Sequence, residues 1–125
     1  MSERFMRRLS AERRGMDEGQ SIVEHLQILL NSRQGLAVTN EDYGLPDLTD
    51  VVHMIPDGLH MIENEIREAI LKFEPRLTNV RVRFVPSDDP FVMYFEISAR
   101  RKDSSKKPFR VRTKMLAGNR FKVSA

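Results

Sequence analysis

The residues most able to perform chemistry are three histidines, since the chain contains no cysteine. A hydrolytic triad needs a nucleophile, a base and an orienting acid. His25, His53 and His60 each lie outside any known nucleophile motif. Without a cysteine, a thiolate nucleophile and a thiolate metal site are also excluded. The histidines therefore do not predict a hydrolase.

A metal site is the next possibility, because His53, Asp57 and His60 lie close together in the sequence. Ligands on one helix must share a face. Pro56 and Gly58 interrupt the helix that would place these three side chains together. We therefore expect surface or loop histidines, with no metal and no cofactor.

Paired carboxylates need separate attention, because a glycosidase requires only two of them at roughly 5 to 9.5 Å. Glu63, Glu65 and Glu68 fall on the polar side of an amphipathic pattern. A solvated carboxylate keeps a low pKa and is a poor general acid. The pattern favours a solvated helix face.

Glu74 differs from these carboxylates, because it lies between Phe73 and Leu77 and two residues before Arg76. Pro75 lacks a backbone donor and disfavours helical geometry in the residue before it, so a helix should end at Glu74. An ion pair with Arg76 would keep the carboxylate ionised. This predicts a structural corner between a helix and a strand.

Two helices should precede that corner. Ser21 and Glu24 form a capping-box pattern at the start of a first helix, residues 21 to 33, and Gly35 is placed to end it. Apolar residues at helical spacing from Leu59 to Phe73 predict a second helix. The turn-forming residues 40 to 50 between them predict a loop.

After Pro75 the apolar period changes from 3.6 to 2, which is typical of strands. The predicted strands are Val80 to Phe84, Phe91 to about Arg100, Phe109 to Met115, and Phe121 to Val123. Phe91 is expected on the apolar face of the second strand.

Helices followed by an antiparallel meander predict an α+β fold, with two main helices on one face of a sheet of about four strands. We expect residues 1–19 to form a polar N-terminal segment that is flexible or ordered by a partner, and residues 20–125 to form one domain. Phe5 and Leu9 lie on one helical side of that segment, either as a docking element or in a frayed end.

Charge is unevenly distributed along the chain. Residues 20–75 contain three bases and ten acids, whereas residues 76–125 contain thirteen bases and four acids. The sheet should therefore show a basic face, which includes Arg110 and Arg112. Nucleic-acid binding is a weaker alternative, because no aromatic stacking pattern, recognition helix or phosphate loop accompanies the charge.

Three motifs together indicate a family. Residues 29–35 (LLNSRQG), 43–48 (YGLPDL) and 74–76 (EPR) resemble the phage baseplate-wedge "lysozyme-like" family. The resemblance spans about residues 4 to 115. The chain length and the segment Arg4 to Leu9 look most like the type VI secretion branch of that family.

The resemblance implies a structural baseplate subunit and not an enzyme, with peptidoglycan hydrolysis as the alternative suggested by the family's older name. Implied partners are wedge proteins of the TssF and TssG types and sheath proteins of the TssB and TssC types, with sheath assembly started by strand addition. The predicted location is the cytoplasm, at the inner face of the cytoplasmic membrane without insertion. The predicted partner-binding residues are Phe5, Leu9, Glu74, Pro75, Arg76, Arg110, Arg112 and Phe121.

Overall fold

The computed structural model describes residues 18–35, 42–89, 91–102, 107–117 and 119–125. Phe5 and Leu9 therefore lie outside the described residues, as do most of residues 1–19. Residues 18 and 19, which were assigned to the N-terminal segment, belong to the first helix.

Within the described residues, the first helix, α1, covers residues 18–31. Its Ile22, Leu26, Leu29 and Leu30 are fully buried, at the spacing of one helix face. The predicted capping box is wrong, because Ser21 lies inside the helix. Its hydroxyl instead accepts a hydrogen bond from Arg76 Nη1 at 2.9 Å.

The segment after α1 turns to meet a distant loop, so the helix ends at residue 31, two residues before the predicted end. The Leu45 amide donates to the Ser32 carbonyl at 2.9 Å, and the Gln34 amide donates to the Leu45 carbonyl at 3.0 Å. Gly44 lies in this contact with φ +102°. A Cβ there would lie 2.3 Å from the Ser32 oxygen, so only glycine fits.

A short helix, α2, spans Thr49–Val52 in the region predicted as a loop. Asp47 Oδ1 accepts hydrogen bonds from the Thr49 amide at 3.0 Å and the Thr49 hydroxyl at 2.6 Å. Such local side-chain bonds favour a turn that can start a helix.

The long helix α3 spans Leu59–Phe73 and confirms the second predicted helix. Its buried residues, Ile62, Ile66, Ala69 and Ile70, follow helical spacing. The helix ends at Glu74, directly before proline, as the sequence predicts.

Four antiparallel strands form one sheet in the order β1-β2-β3-β4. The strands are β1 (Leu77–Val85), β2 (Met93–Arg101), β3 (Pro108–Leu116) and β4 (Arg120–Ser124). Asn79, with φ 53°, lies where the β1–β2 register shifts between Thr78 and Arg81. This bulge was not predicted.

One side of the sheet faces the helices and forms the core, which confirms the α+β fold. Thr113 is the buried polar residue of β3. The fully or nearly buried apolar side chains of the sheet are Leu77, Val80, Phe95, Ile97, Ala99, Phe109, Val111, Met115, Phe121 and Val123.

Phe91 is where the strand prediction is wrong. It precedes β2 and its side chain is 84% exposed. Its amide donates to Asp89 Oδ1 at 2.9 Å, so the residue belongs to the turn before the strand.

We predict that Gly44→Ala lowers the free energy of unfolding by at least about 2 kcal/mol, because it adds left-handed strain and a backbone clash. Urea unfolding followed by circular dichroism measures the change. Gly35→Ala is the matched control, since Gly35 also has positive φ, +87°, but has no atom within 4 Å of the added Cβ. It should cost about 1 kcal/mol. Equal losses in the two variants would contradict the clash at Ser32.

Candidate docking site

The corner between α3 and β1 is formed by Glu74, Pro75 and Arg76. The Glu74 side chain is 1% exposed, although it is a carboxylate. Its amide still donates to the Ile70 carbonyl at 2.9 Å, while its φ of −118° and ψ of 86° turn the chain out of the helix. The end of α3 therefore delivers a charged group into the interior.

Arg76 neutralises this carboxylate and donates hydrogen bonds to both of the carboxylate oxygens. Arg76 Nε donates to Glu74 Oε1 at 2.8 Å and Nη2 donates to Oε2 at 3.0 Å. The Arg76 amide adds a bond to Oε1 at 3.1 Å. This bidentate geometry is the strong form of the Arg–carboxylate pair, and it confirms the predicted ionic corner.

Two residues outside the corner complete its network. His25 Nδ1 lies 2.6 Å from Glu74 Oε2, and His25 Nε2 lies 3.1 Å from the Tyr43 hydroxyl. The Tyr43 ring also packs edge-on against Phe73, with ring centroids 5.1 Å apart. The network therefore joins α1, the loop containing Tyr43, and the end of α3.

Arg76 adds a second contact to α1 and extends the network to the end of β2. Its Nη1 donates to Ser21 Oγ of α1, and its carbonyl accepts a bond from the Lys102 amide, directly after β2, at 2.9 Å. The sequence pattern predicts the pairing of Glu74 with Arg76 but not the contacts of Ser21 and His25 with this corner. Their separation by four residues places them on one side of α1, which is the signal that could have suggested a shared contact.

The hydrogen bonds decide the protonation of Glu74. Burial raises the pKa of Glu74, but the bonds from Arg76 and His25 lower it, and the net pKa is below its ordinary value. Glu74 in turn raises the pKa of Arg76 through their hydrogen bond. A buried carboxylate that is ionised and engaged at both oxygens has no proton to donate, so its geometry suits an anchor and not a general acid.

The other chemical candidates remain apart in space. His53 is exposed, and His60 pairs with Glu63 at 3.0 Å with its own side chain 94% exposed. Within the described ranges no three His, Asp or Glu side chains group as metal ligands. Among those same residues, no helix is long and apolar enough to cross a membrane.

The outer edge of β4 is covered by two side-chain amides of α1. Phe121 exchanges bonds with Asn31: its amide donates to Asn31 Oδ1 at 2.8 Å, and its carbonyl accepts from Asn31 Nδ2 at 2.8 Å. Gln27 Nε2 donates to the same carbonyl, and Gln27 Oε1 accepts from the Val123 amide, both at 2.7 Å. We call this arrangement the amide cap. It occupies main-chain groups that an added strand would use.

The other outer strand, β1, has a carboxylate on its edge. The Phe84 amide donates to Glu63 Oε2 at 2.9 Å, and the Glu63 side chain is 17% exposed. The prediction that Glu63 lies on a solvated face is therefore wrong, because the helix packs it over the strand. This bond also shows that Phe84 presents its amide away from β2.

The predicted partner residues on the sheet have different environments. Arg110 and Arg112 are exposed on the face opposite the helices. The Phe121 side chain is 2% exposed and belongs to the core. A contact through Phe121 would therefore use its main chain.

The three motifs that carry the family resemblance meet in this part of the molecule. The LLNSRQG segment pairs with the YGLPDL loop through Ser32 and Leu45, and Tyr43 of that loop reaches the EPR corner through His25. A family model described as "Baseplate wedge protein gp25" matches residues 16–106 of the 125.

The chain belongs to the baseplate wedge protein gp25 family. This confirms the resemblance predicted from the three motifs. The family match ends before β3, so the last hairpin lies outside it.

A solved structure extends the comparison to the fold. A chain in "The baseplate complex from the type VI secretion system" is similar with a TM-score of 0.68 and 21% identity, covering 85% of this chain and 97% of that one. At this identity the match shows a shared fold. Comparison with curated protein sequences gives no match.

We predict that Glu74→Gln lowers the free energy of unfolding at neutral pH by about 3 kcal/mol, because the Arg76 charge loses its buried partner. The pH dependence should change as well. Since the folded pKa of Glu74 lies below its ordinary value of 4.5, its stabilisation is complete above that pH and is lost as the pH falls through the folded pKa.

Urea unfolding at a series of pH values tests this prediction. The wild type should lose stability as the pH falls below about 4.5 and through the folded pKa of Glu74, and Glu74→Gln should lack that component. Glu68→Gln is the control, because its carboxylate is 61% exposed; it should change stability by less than about 0.5 kcal/mol. Parallel pH profiles for wild type and Glu74→Gln would refute the assignment.

We also predict that Gln27→Met combined with Asn31→Leu exposes the edge of β4. Amide hydrogen exchange at Phe121 and Val123 should accelerate by about fivefold or more, since each of these amides loses a bond worth about 1 kcal/mol. The Lys122 amide, which by strand alternation faces β3, is the internal control. Unchanged exchange at Phe121 and Val123 would show that the amide cap does not protect the edge.

Proposed function

We propose that the protein is a structural component of the baseplate of a contractile injection machine, of the type VI secretion (TssE) kind, that joins the baseplate wedge to the sheath. Membership of the gp25 family supports this function, and the fold shared with a type VI baseplate chain is consistent with it. The observation that carries the proposal is the chain of contacts that links the LLNSRQG segment to the YGLPDL loop, and that loop through His25 to the Glu74 corner.

The proposed role is structural and not catalytic. The one buried carboxylate of the described residues is Glu74, and Arg76 and His25 engage both of its oxygens. A general acid needs a raised pKa and access to substrate. Glu74 has a lowered pKa and almost no exposure.

The wedge-facing contact is proposed at the corner. Pro75 is exposed and the Arg76 side chain is 33% exposed, so the buried anchor presents a rigid surface. The partners proposed there are wedge proteins of the TssF and TssG types. Phe5 and Leu9 are proposed to extend this contact as a docking element.

The sheath-facing contact is proposed at the last hairpin, together with Arg110 and Arg112. Strand addition bonds a partner through main-chain groups of an edge strand. At β4 an incoming strand of a TssB or TssC type protein would replace the amide cap at Phe121 and Val123. In the free protein the amide cap covers this edge. In the assembly the main chain of the added strand would replace the side-chain bonds of the cap.

The proposed site of action is the cytoplasm, in a baseplate at the inner face of the cytoplasmic membrane. A sheath subunit can add a strand to the last hairpin only if both proteins lie in the same compartment.

Co-purification of the tagged full-length chain with candidate wedge and sheath proteins tests both contacts. Glu74→Ala with Arg76→Ala should abolish wedge assembly and, as a result, sheath formation. Val123→Pro should preserve wedge assembly and lose sheath recruitment, because proline removes the amide that an added strand needs. Val123→Ala is its matched control, since it loses side-chain packing but keeps the amide.

Circular dichroism confirms that each variant folds. If the Glu74/Arg76 double variant is folded and still assembles wedge and sheath normally, the proposed function is wrong. If Val123→Pro and Val123→Ala recruit sheath equally, the contact at β4 is wrong while the wedge role stands.

A further inference from the structure

The face of the sheet opposite the helices is strongly basic. Among the described residues it carries one acid, Glu96. Its bases are Arg81, Arg83, Arg100, Arg110, Arg112, Lys114, Arg120 and Lys122. This imbalance follows from strand alternation, because every second residue of β3 and β4 points away from the core.

A groove runs along β2 on this face. Strand register places Arg81 of β1 opposite Ser98, and Ser98 opposite Arg110 of β3. The next row is formed in the same way by Arg83 and Glu96. Because Ser98 is short and its neighbours are long, β2 forms the floor and the arginines form the walls. We call this feature the arginine groove.

The arginine groove is large enough for several side chains. One cavity of about 570 Å³ is lined by Arg81, Arg83, Glu96, Ser98 and Arg110, and it extends along β1, past Val80 and Val82, to Arg67 of α3. An adjoining cavity of about 780 Å³ continues past Ser98 to Arg100. Strands lie about 4.8 Å apart, so the two walls are separated by about 10 Å, the width of an extended segment with its side chains.

The positive charge of the groove is incompletely neutralised. Glu96 Oε1 lies 3.9 Å from Arg83 Nη2 and 3.8 Å from Arg110 Nε, and both arginine side chains are 76% exposed. In the described part of the chain, Arg81 and Arg100 have no carboxylate partner. The arginine charge that has no carboxylate partner among the described residues is therefore concentrated beside Ser98.

We propose that the arginine groove binds an acidic segment of a partner protein, with a carboxylate held between Arg81 and Arg110 at the level of Ser98. The guanidinium fork matches a carboxylate in two-bond geometry. The Ser98 hydroxyl adds a donor on the floor. This inference rests on the proposed docking function and shares Arg110 with the proposed sheath-facing contact. The groove is separate from the Glu74 corner and from the main-chain edge of β4.

The groove favours an acidic peptide over a nucleic acid. Base stacking needs exposed aromatic rings, and within the described outer face the aromatic residue is Tyr94, whose ring lies 5.8 Å from Lys114 Nζ. Glu96 also lies in the path of a continuous phosphate backbone. A peptide can space its carboxylates to avoid Glu96, whereas a phosphodiester chain carries a charge at every link.

Fluorescence anisotropy with a labelled oligoglutamate peptide tests the proposal on the full chain. Arg81→Ala with Arg110→Ala should weaken binding about tenfold or more at physiological ionic strength. The matched control is Lys72→Ala with Arg120→Ala, which removes the same charge outside the groove and should weaken binding less than about threefold. Glu96→Gln should tighten binding, because it releases Arg83 and Arg110.

Three results would overturn the proposal. Equal losses in the groove and control variants would show an unspecific charge effect. Tighter binding of an oligothymidylate of matched charge would identify a nucleic-acid surface. Concentration-dependent self-association that the groove variant abolishes would identify a second copy of this chain as the occupant.

The wedge co-purification separates this inference from the proposed function. Arg81→Ala with Arg110→Ala leaves the Glu74 network and the amide cap intact, so wedge assembly should persist while oligoglutamate binding falls. Loss of oligoglutamate binding together with normal wedge assembly supports both proposals. If the wild-type protein assembles the wedge but does not bind oligoglutamate, the proposal for the arginine groove is wrong and the proposed function stands.

Discussion

A buried carboxylate is the constraint on which the rest of this structure depends. Glu74 enters the interior only because Arg76 and His25 compensate the loss of water at its two oxygens. His25 belongs to α1, so its bond to Glu74 holds that helix against the corner between α3 and β1. Removing one partner would leave an uncompensated charge, which costs more than the net value of the pair. The corner is therefore rigid for an electrostatic reason.

A second constraint acts at the margins of the small sheet. Outer strands expose main-chain donors and acceptors that invite further pairing. Here Gln27 and Asn31 cover the edge of β4, and Glu63 takes one amide of β1. Because side chains provide this protection, a change of their rotamers can uncover the edge, whereas removing a paired strand would require the backbone to move. The proposed addition of a partner strand at β4 requires such an arrangement.

Much of the fold could be predicted from local pattern. Helical spacing from Leu59 to Phe73 and the strand alternation of β3 depend on neighbours close in the chain, and both were confirmed. The ion pair of Glu74 with Arg76 was predictable for the same reason, since the two residues are only two positions apart. The capping box at Ser21 and the placement of Phe91 failed. Ser21 lies inside α1 and bonds Arg76, and Phe91 belongs to the turn before β2. In both cases tertiary packing or the adjoining turn outweighed the local sequence pattern.

The sequence by itself therefore determined the α+β class, the order of its elements, the ionic corner, the segregation of charge and the family. Only the tertiary structure decided which distant groups meet. His25 reaches Glu74 across 49 positions, and Asn31 reaches Phe121 across 90. It also decided that the bases form a groove beside Ser98, because strand register sets which side chains are neighbours. Local periodicity records which side of an element is buried, whereas contacts between elements depend on how those sides pack together.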